Sequence, residues 1–410
     1  MALTQSFASP IVPLRPERSR SAQTDDAGVQ RVAVIGSTGS VGVQALDVLR
    51  RMPDRFVVSA LVAHRSADAL AEQIRIHHPR LVGIDGPPGA ITRPDGRGPT
   101  VMTSAEAMMA IATDSETDIV LIASSGHAAI APTLAALRSG KIVALANKEA
   151  IVCAGPLVVA AVRDGSGEVR PVDSEHSALW QSLGHSDGRD VRRLILTASG
   201  GPFRQMPLNQ MRTVTAAQAL AHPTWKMGGK ITIDSATLIN KGLELIEARW
   251  LFGVDPDQLD VVVHPESIIH SLVEFDDASQ VAQLSLPDMR LPIQFALTYP
   301  DHTASPCRTL SLADVGRLTF ERPDLDRFPG LALAHQVMRQ GDTFPTVLSA
   351  VDEVAVHAFL EGRLAFMGIT DAIAAVLARH QPHGPLSIDS IAAADDWARR
   401  EAEQWIAKRD

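Results

Sequence analysis

Between residues 222 and 250 the chain reads HPTWKMGGKITIDSATLINKGLELIEARW, a stretch dense in groups that hold ions. Ser235, Asn240 and Lys241 all suit an anion. Glu244 follows Lys241 by three residues, so a helix sets both on one side. A carboxylate one turn from an anion site makes sense where a cation and a phosphate bind side by side. Upstream, VDSEHSA carries Asp173 and Glu175 two residues apart. In extended backbone they point the same way, and they repel unless a cation neutralises them. With Glu244 they make a three-carboxylate site. Oxygen-only ligands select a hard divalent ion, Mg²⁺ or Mn²⁺, over zinc. His176 reads either as a further ligand or as a helix-start residue. Ser199-Gly200-Gly201, with Arg204 nearby, is a glycine turn bearing a hydroxyl and again suits an anion.

These residues need elements to position them. Pro223 sets a turn and Gly228-Gly229 supply backbone freedom. Ile231 and Ile233 alternate with Thr232 and Asp234, which predicts a short strand. Leu243, Ile246 and Trp250 then recur at the spacing of a buried helix face. Near the amino end, a strand over 31–35 runs directly into Gly36-Ser37-Thr38-Gly39-Ser40-Val41-Gly42. A helix with Val43, Leu46 and Leu49 toward the core follows. Strand, glycine loop and helix in that order let backbone approach a pyrophosphate at a helix N-terminus. The second strand, 56–63, ends at His64-Arg65-Ser66, with no acid before Asp68. Arg65 and Ser66 favour a 2′-phosphate, hence NADP over NAD. Further strands over 81–85, 118–123 and 141–146 alternate with helical segments. The alternation predicts a doubly wound parallel sheet, with Ser125, Asn147, Lys148 and Glu149 at strand ends that line its crevice.

At 410 residues the chain is long enough for two or three domains. The fold class expected is α/β. A Rossmann-like domain spans 31–172, a central α+β catalytic domain with an open sheet spans 173–299, and an arm spans 300–330 with a strand at 318–320. A bundle of helices over 331–339, 346–362, 368–379 and 388–407 closes the chain. Residues 268–273 and 280–286 alternate like paired strands, and exposed sheet of this kind can pair across a dimer. A net charge of -9 argues against nucleic-acid and membrane-surface partners. No apolar run approaches the ~18 residues of a membrane span. Cys153 and Cys307 cannot make a disulfide framework and suit a reducing cytoplasm. Residues 1–30 are rich in Ser, Pro and Arg, and the apolar run at 11–14 is broken by Pro13. A disordered extension is expected there, with an organelle transit peptide as the alternative.

Taken together, GSTGSVG at 36–42, ANKE at 146–149, VDSEHSA at 172–178, SGGPFR at 199–204 and the stretch 222–250 resemble the 1-deoxy-D-xylulose 5-phosphate reductoisomerase family. HPES at 264–267, PDMR at 287–290 and DEVAV at 352–356 extend the resemblance over 31–410. It implies a metal on Asp173, Glu175 and Glu244, and substrate phosphate on Ser199, Ser235, Asn240 and Lys241. It implies that Lys148 and Ser174 meet the hydroxyl and carbonyl end of the phosphorylated sugar, and that His222 and Trp225 lie on a flap closing over it. Lys148, Glu175, His222 and Glu244 are the catalytic set so implied. NADPH is expected along residues 36–42, at His64, Arg65, Ser66, Ser125, Asn147 and Glu149, and near Gly228 and Met289, with Met227 beside the nicotinamide. A homodimer is also implied. Glu266 stands where the family usually has glutamine, and Ser349 and Asp352 where it usually has asparagines. Two rival readings are a semialdehyde dehydrogenase, for which Cys153 is the one candidate nucleophile and has no evident base, and a non-catalytic NADP sensor, which has no need of three carboxylates.

Overall fold

A computed structural model describes residues 10–13, 28–86, 98–184, 186, 188, 190–221 and 228–408. The expected βα alternation yields strands β1 (Gln30–Ile35), β2 (Phe56–Val62), β3 (Leu81–Gly83), β4 (Thr100–Met102), β5 (Ile119–Ile122), β6 (Ile142–Leu145) and β7 (Glu168–Pro171). They form one sheet in the order β4-β3-β2-β1-β5-β6-β7. Every pairing in it is parallel. The strands are near-continuous aliphatic runs because both faces are covered. In β1, Val32 and Val34 enter one core while Ala33 and Ile35 enter the other. Strand order reverses between β1 and β5, and the crevice of such a sheet opens there.

A second sheet holds β8 (Val191–Ala198), β9 (Leu259–Val263), β10 (Ile269–Phe275) and β11 (Gln280–Leu284), in the order β11-β10-β8-β9. β10 runs antiparallel to β8 and β11, as the alternation at 268–286 implied, and β9 is parallel to β8. Helices Pro329–Gln340, Phe344–Leu360, Gly368–Leu377 and Ile388–Ala407 share a continuous apolar core with one face of the parallel sheet. Among the described residues no helix is long and apolar enough to cross a membrane.

Four local expectations are corrected. Residues 231–234 are not a strand; they lie in the Gly229–Thr237 helix. A four-residue alternation is too short to separate a period of two from one of 3.6, and the polar residues after it extend the helix. Val43 is 51% exposed, because the Ser40–Arg50 helix buries Ala45, Leu46, Val48 and Leu49 instead. The arm makes only an isolated bridge, Val263 to Glu321, in place of a strand at 318–320. Residues 10–13 are ordered, with Ile11 and Val12 in the core.

Candidate active site

Gly36 ends β1 with φ +82°, and a Cβ there would lie 2.6 Å from the Ser124 backbone nitrogen. A Cβ on Gly42 would come within 2.2 Å of the Gly36 carbonyl oxygen. Only glycine therefore lets this loop fold tightly onto the end of β5, as a dinucleotide cradle requires. His64, Arg65 and Ser66 are exposed just beyond β2, beside that loop, and Ser125 is exposed after β5. Asn147 caps the Lys148–Val152 helix by accepting from the Ala150 N–H at 2.8 Å. Its amide also donates to the Ser124 and Gly126 carbonyls at 2.8 and 3.1 Å. Asn147 thus holds the β5 loop through backbone contacts, and Glu149 sits half-buried in the first turn beside it.

A cleft of about 780 Å³ runs from Ser40 and Val41 of the glycine loop and helix, past Lys148, to Ser199, Ser235 and Lys241. Gly228 and Met289 also line it. His222, Trp225 and Met227 lie outside the described residues.

At its centre, oxygens of Asp173, Glu175 and Glu244 all lie within 4.8 Å of one another. The extended-backbone reason offered for the first two is corrected: Asp173 is the N-cap of the Ser174–Leu183 helix, and Glu175 is in its first turn. The helix start turns both toward Glu244 on the Ile239–Phe252 helix. Ammonium groups lie among the carboxylates. Lys148 Nζ contacts Asp173, and lies 3.3 Å from Glu247 and 3.6 Å from Glu244. Lys241 Nζ is 2.9 Å from Glu175 and also contacts Glu244. Asn240 donates to Glu244, and the Ser174 hydroxyl donates to Glu175 at 2.6 Å. Ser199 and Ser235 hydroxyls are 3.5 Å apart beside them.

Burial, then Glu175, push the Glu244 carboxyl up to about 8 despite Lys241 and Lys148. Burial would also raise Asp173 and Glu175, but Lys148 and the other cations beside Asp173, and Lys241 with the Ser174 hydroxyl beside Glu175, together hold both below the ordinary carboxylate range. Burial likewise opposes the Lys148 charge, and the carboxylates around it hold it well above the ordinary value. Such a crowd of buried oxygen donors, tolerated only with cations inserted, is what a hard divalent ion needs. A second group, Asp173, His176 and Glu247, lies alongside. His176 is in the first turn of its helix, and its Nε2 lies 2.8 Å from the Glu244 carbonyl oxygen, coupling the two acidic helices.

Some functional candidates were not read from sequence. Glu247 is one; its place three residues past Glu244 was a usable signal. His270, buried at the cleft wall and 2.9 Å from Ser285 Oγ, had none beyond its residue type. Arg204, noted near the anion-suited turn at 199–201, pairs with Glu321. Cys153 does have a base, contrary to expectation: its Sγ lies 3.3 Å from His127 Nε2, and His127 Nδ1 lies 3.0 Å from Asp395. The thiol is 1% exposed and does not line the cleft, so it cannot meet a substrate there.

Family models match the chain in three segments. That for 1-deoxy-D-xylulose 5-phosphate reductoisomerase matches residues 32–155, and those for its C-terminal domains match 169–252 and 284–401. A 1-deoxy-D-xylulose 5-phosphate reductoisomerase of Thermomicrobium roseum is 53% identical over 380 residues, 92% of this chain and 98% of that protein. The chain belongs to the 1-deoxy-D-xylulose 5-phosphate reductoisomerase family. Solved structures agree. The reductoisomerase from Zymomonas mobilis in complex with NADPH matches with TM-score 0.86 and 39% identity, over 92% of this chain and 98% of that one. A reductoisomerase in complex with NADPH, fosmidomycin and magnesium matches with TM-score 0.87 and 36% identity, over the same shares. Of the departures from the reductoisomerase pattern, Glu266 accepts the Thr319 N–H at 3.1 Å and so ties down the arm. Asp352 is fully buried against Lys230, 2.6 Å away. Nothing in the structure explains Ser349.

Proposed function

We propose that the cleft carries out the NADPH- and divalent-metal-dependent conversion of 1-deoxy-D-xylulose 5-phosphate to 2-C-methyl-D-erythritol 4-phosphate, a step of the non-mevalonate isoprenoid precursor route. The observation that carries this reading is the convergence of Asp173, Glu175 and Glu244 in the same cleft as the glycine loop. When bound, Mg²⁺ or Mn²⁺ on those carboxylates supplies Lewis acidity to the ketone and its neighbouring hydroxyl, and NADPH supplies the hydride. Ser199, Ser235, Asn240 and Lys241 receive the substrate phosphate, and that binding energy orients the reacting end. Lys148 and Ser174 flank the carbonyl and hydroxyl end. The Lys148 ammonium, held charged by its neighbours, donates to developing oxyanion charge while the skeleton rearranges by retro-aldol cleavage and aldol rejoining. The branched aldehyde so formed is then reduced. Residues 36–42 hold the cofactor's pyrophosphate, Arg65 and Ser66 its 2′-phosphate, and Ser125, Glu149, Gly228 and Met289 the remainder. His222 and Trp225 are assigned to closing over the substrate.

The protein is placed in a reducing cytoplasm and as a homodimer. Support for the dimer comes from β11, an outer strand of its sheet on which Val281 is 44% exposed. The test is NADPH oxidation on adding the substrate, with Mg²⁺, with a chelator, and with NADH in place of NADPH. Metal-dependent oxidation that prefers NADPH is expected. Folded protein that binds NADPH but oxidises none with any metal would overturn the assignment.

A further inference from the structure

Residues 10–13 precede residue 32, where the family match begins, yet they are built into the core. Ile11 and Val12 keep only 5% and 4% exposure. The Ile11 N–H donates to the Leu251 carbonyl at 3.0 Å, and the Val12 N–H reaches the same oxygen at 3.4 Å. Leu251 lies in the last turn of the Ile239–Phe252 helix, where carbonyls lack partners within the helix. The Pro13 carbonyl accepts two hydrogen bonds, from Trp180 Nε1–H at 2.7 Å and from the Tyr299 hydroxyl at 2.9 Å. Those rings stack at 4.4 Å, so two aromatic donors converge on one oxygen. Interior indole and phenol donors need acceptors, and here the acceptor comes from neither aromatic residue's own helix region but from the amino-terminal segment.

The elements so joined are those that form the cleft. The Ser174–Leu183 helix carries Trp180 near one end and Glu175 at the other. The Ile239–Phe252 helix carries Leu251 near one end and Glu244 toward the other. Tyr299 closes the Arg290–Thr298 helix, which begins beside Met289 at the cleft. We infer that Trp180, Leu251 and Tyr299 form a binding site for the chain's own segment 10–13, and that its occupancy positions the two acidic helices. The ligand is an apolar, proline-ended segment that offers one carbonyl and two N–H groups. The segment touches no reacting atom, so Ile11 and Val12 are positioning residues.

The test compares the full chain with Ile11→Asp and with the milder Ile11→Ala/Val12→Ala, and then adds a peptide of residues 8–15. Amide exchange along both acidic helices is expected to speed about tenfold or more in the variants. The ionisation of Tyr299, the only tyrosine, should move down toward its ordinary range. Mn²⁺ affinity should fall several-fold while NADPH affinity holds. Peptide at about millimolar concentration, matching the tethered segment, should reverse these changes. Exchange, tyrosine titration and Mn²⁺ affinity unchanged in the milder variant would overturn the inference. So would equal loss of NADPH and Mn²⁺ affinity, which marks general loosening. Trp180→Phe keeps the stack and removes one donor, and a smaller effect of the same pattern is expected.

Discussion

Among the described residues, two buried charge clusters each hold more carboxylates than ammonium groups. The first sets Asp173, Glu175, Glu244 and Glu247 against Lys148 and Lys241. The second sets Asp234 and Asp352 against Lys230 alone, at 2.7 and 2.6 Å. They differ in access. Asp173 and Glu175 keep 20% and 17% side-chain exposure on the cleft, whereas Asp234 and Asp352 keep 3% and 0%. An open cluster can recruit a cation from solution; a closed one has to retain a proton. Burial and the neighbouring Asp352 do hold Asp234 well above the ordinary carboxylate value, against the pull of Lys230. The same imbalance of charge thus leaves room for a cation in one place and calls for a retained proton in the other.

The largest effect belongs to the open cluster. Glu244→Gln should lower metal-dependent turnover by roughly a thousandfold, from several kcal/mol of lost ion binding and Lewis acidity, with NADPH binding retained. Cofactor titration beside steady-state kinetics measures both. Glu247→Gln removes a partner of Lys148 without removing a member of the Asp173–Glu175–Glu244 group. A loss of about tenfold to a hundredfold is expected in kcat, with little change in NADPH affinity.

Acidity gives a third handle. Glu244 in the metal-free protein loses its proton near pH 8, and the ion needs the carboxylate. Metal affinity should therefore climb as pH rises toward about 8 and then level, with about one proton released per ion at neutral pH. Calorimetry in two buffers of different ionisation heat reads that proton directly. A flat profile would show that the cluster does not bind the ion through Glu244.

The smallest effect lies in the closed cluster. Asp234 has a folded pKa above its unfolded one, so its contribution to stability is complete below the unfolded value and is lost as pH rises through the folded one. Asp352→Asn leaves Asp234 facing Lys230 alone and should flatten that decline. A thermal midpoint higher by about 2 °C at neutral pH is expected from melting curves. A lower midpoint would mean that the Lys230–Asp352 pair outweighs the carboxylate repulsion.

The two clusters were not equally legible. Lys241 and Glu244 share a helix face at a spacing visible in sequence, and Asp173 and Glu175 are near neighbours whose mutual repulsion asks for a cation. Their convergence on one point depends on packing between two helices, which local spacing does not report. Asp234 was hidden by the strand reading of 231–234, and its partner Asp352 is more than a hundred positions away. Cys153, His127 and Asp395 show the same limit, since their contacts cross from the parallel sheet to the Ile388–Ala407 helix. Residues 11–13 look like a disordered tail because their partners, Trp180, Leu251 and Tyr299, are all distant in sequence. The parallel sheet was the easiest part, because β1, β5 and β6 are aliphatic runs closed by glycine or polar turns.

The open cluster is the proposed cation site. Anomalous scattering from crystals soaked in Mn²⁺ tests it most directly. One strong peak is expected, bounded by oxygens of Asp173, Glu175 and Glu244, with the Lys148 and Lys241 ammonium groups moved off those oxygens. A peak held by Asp173, His176 and Glu247, or no peak in crystals that bind NADPH, would contradict it.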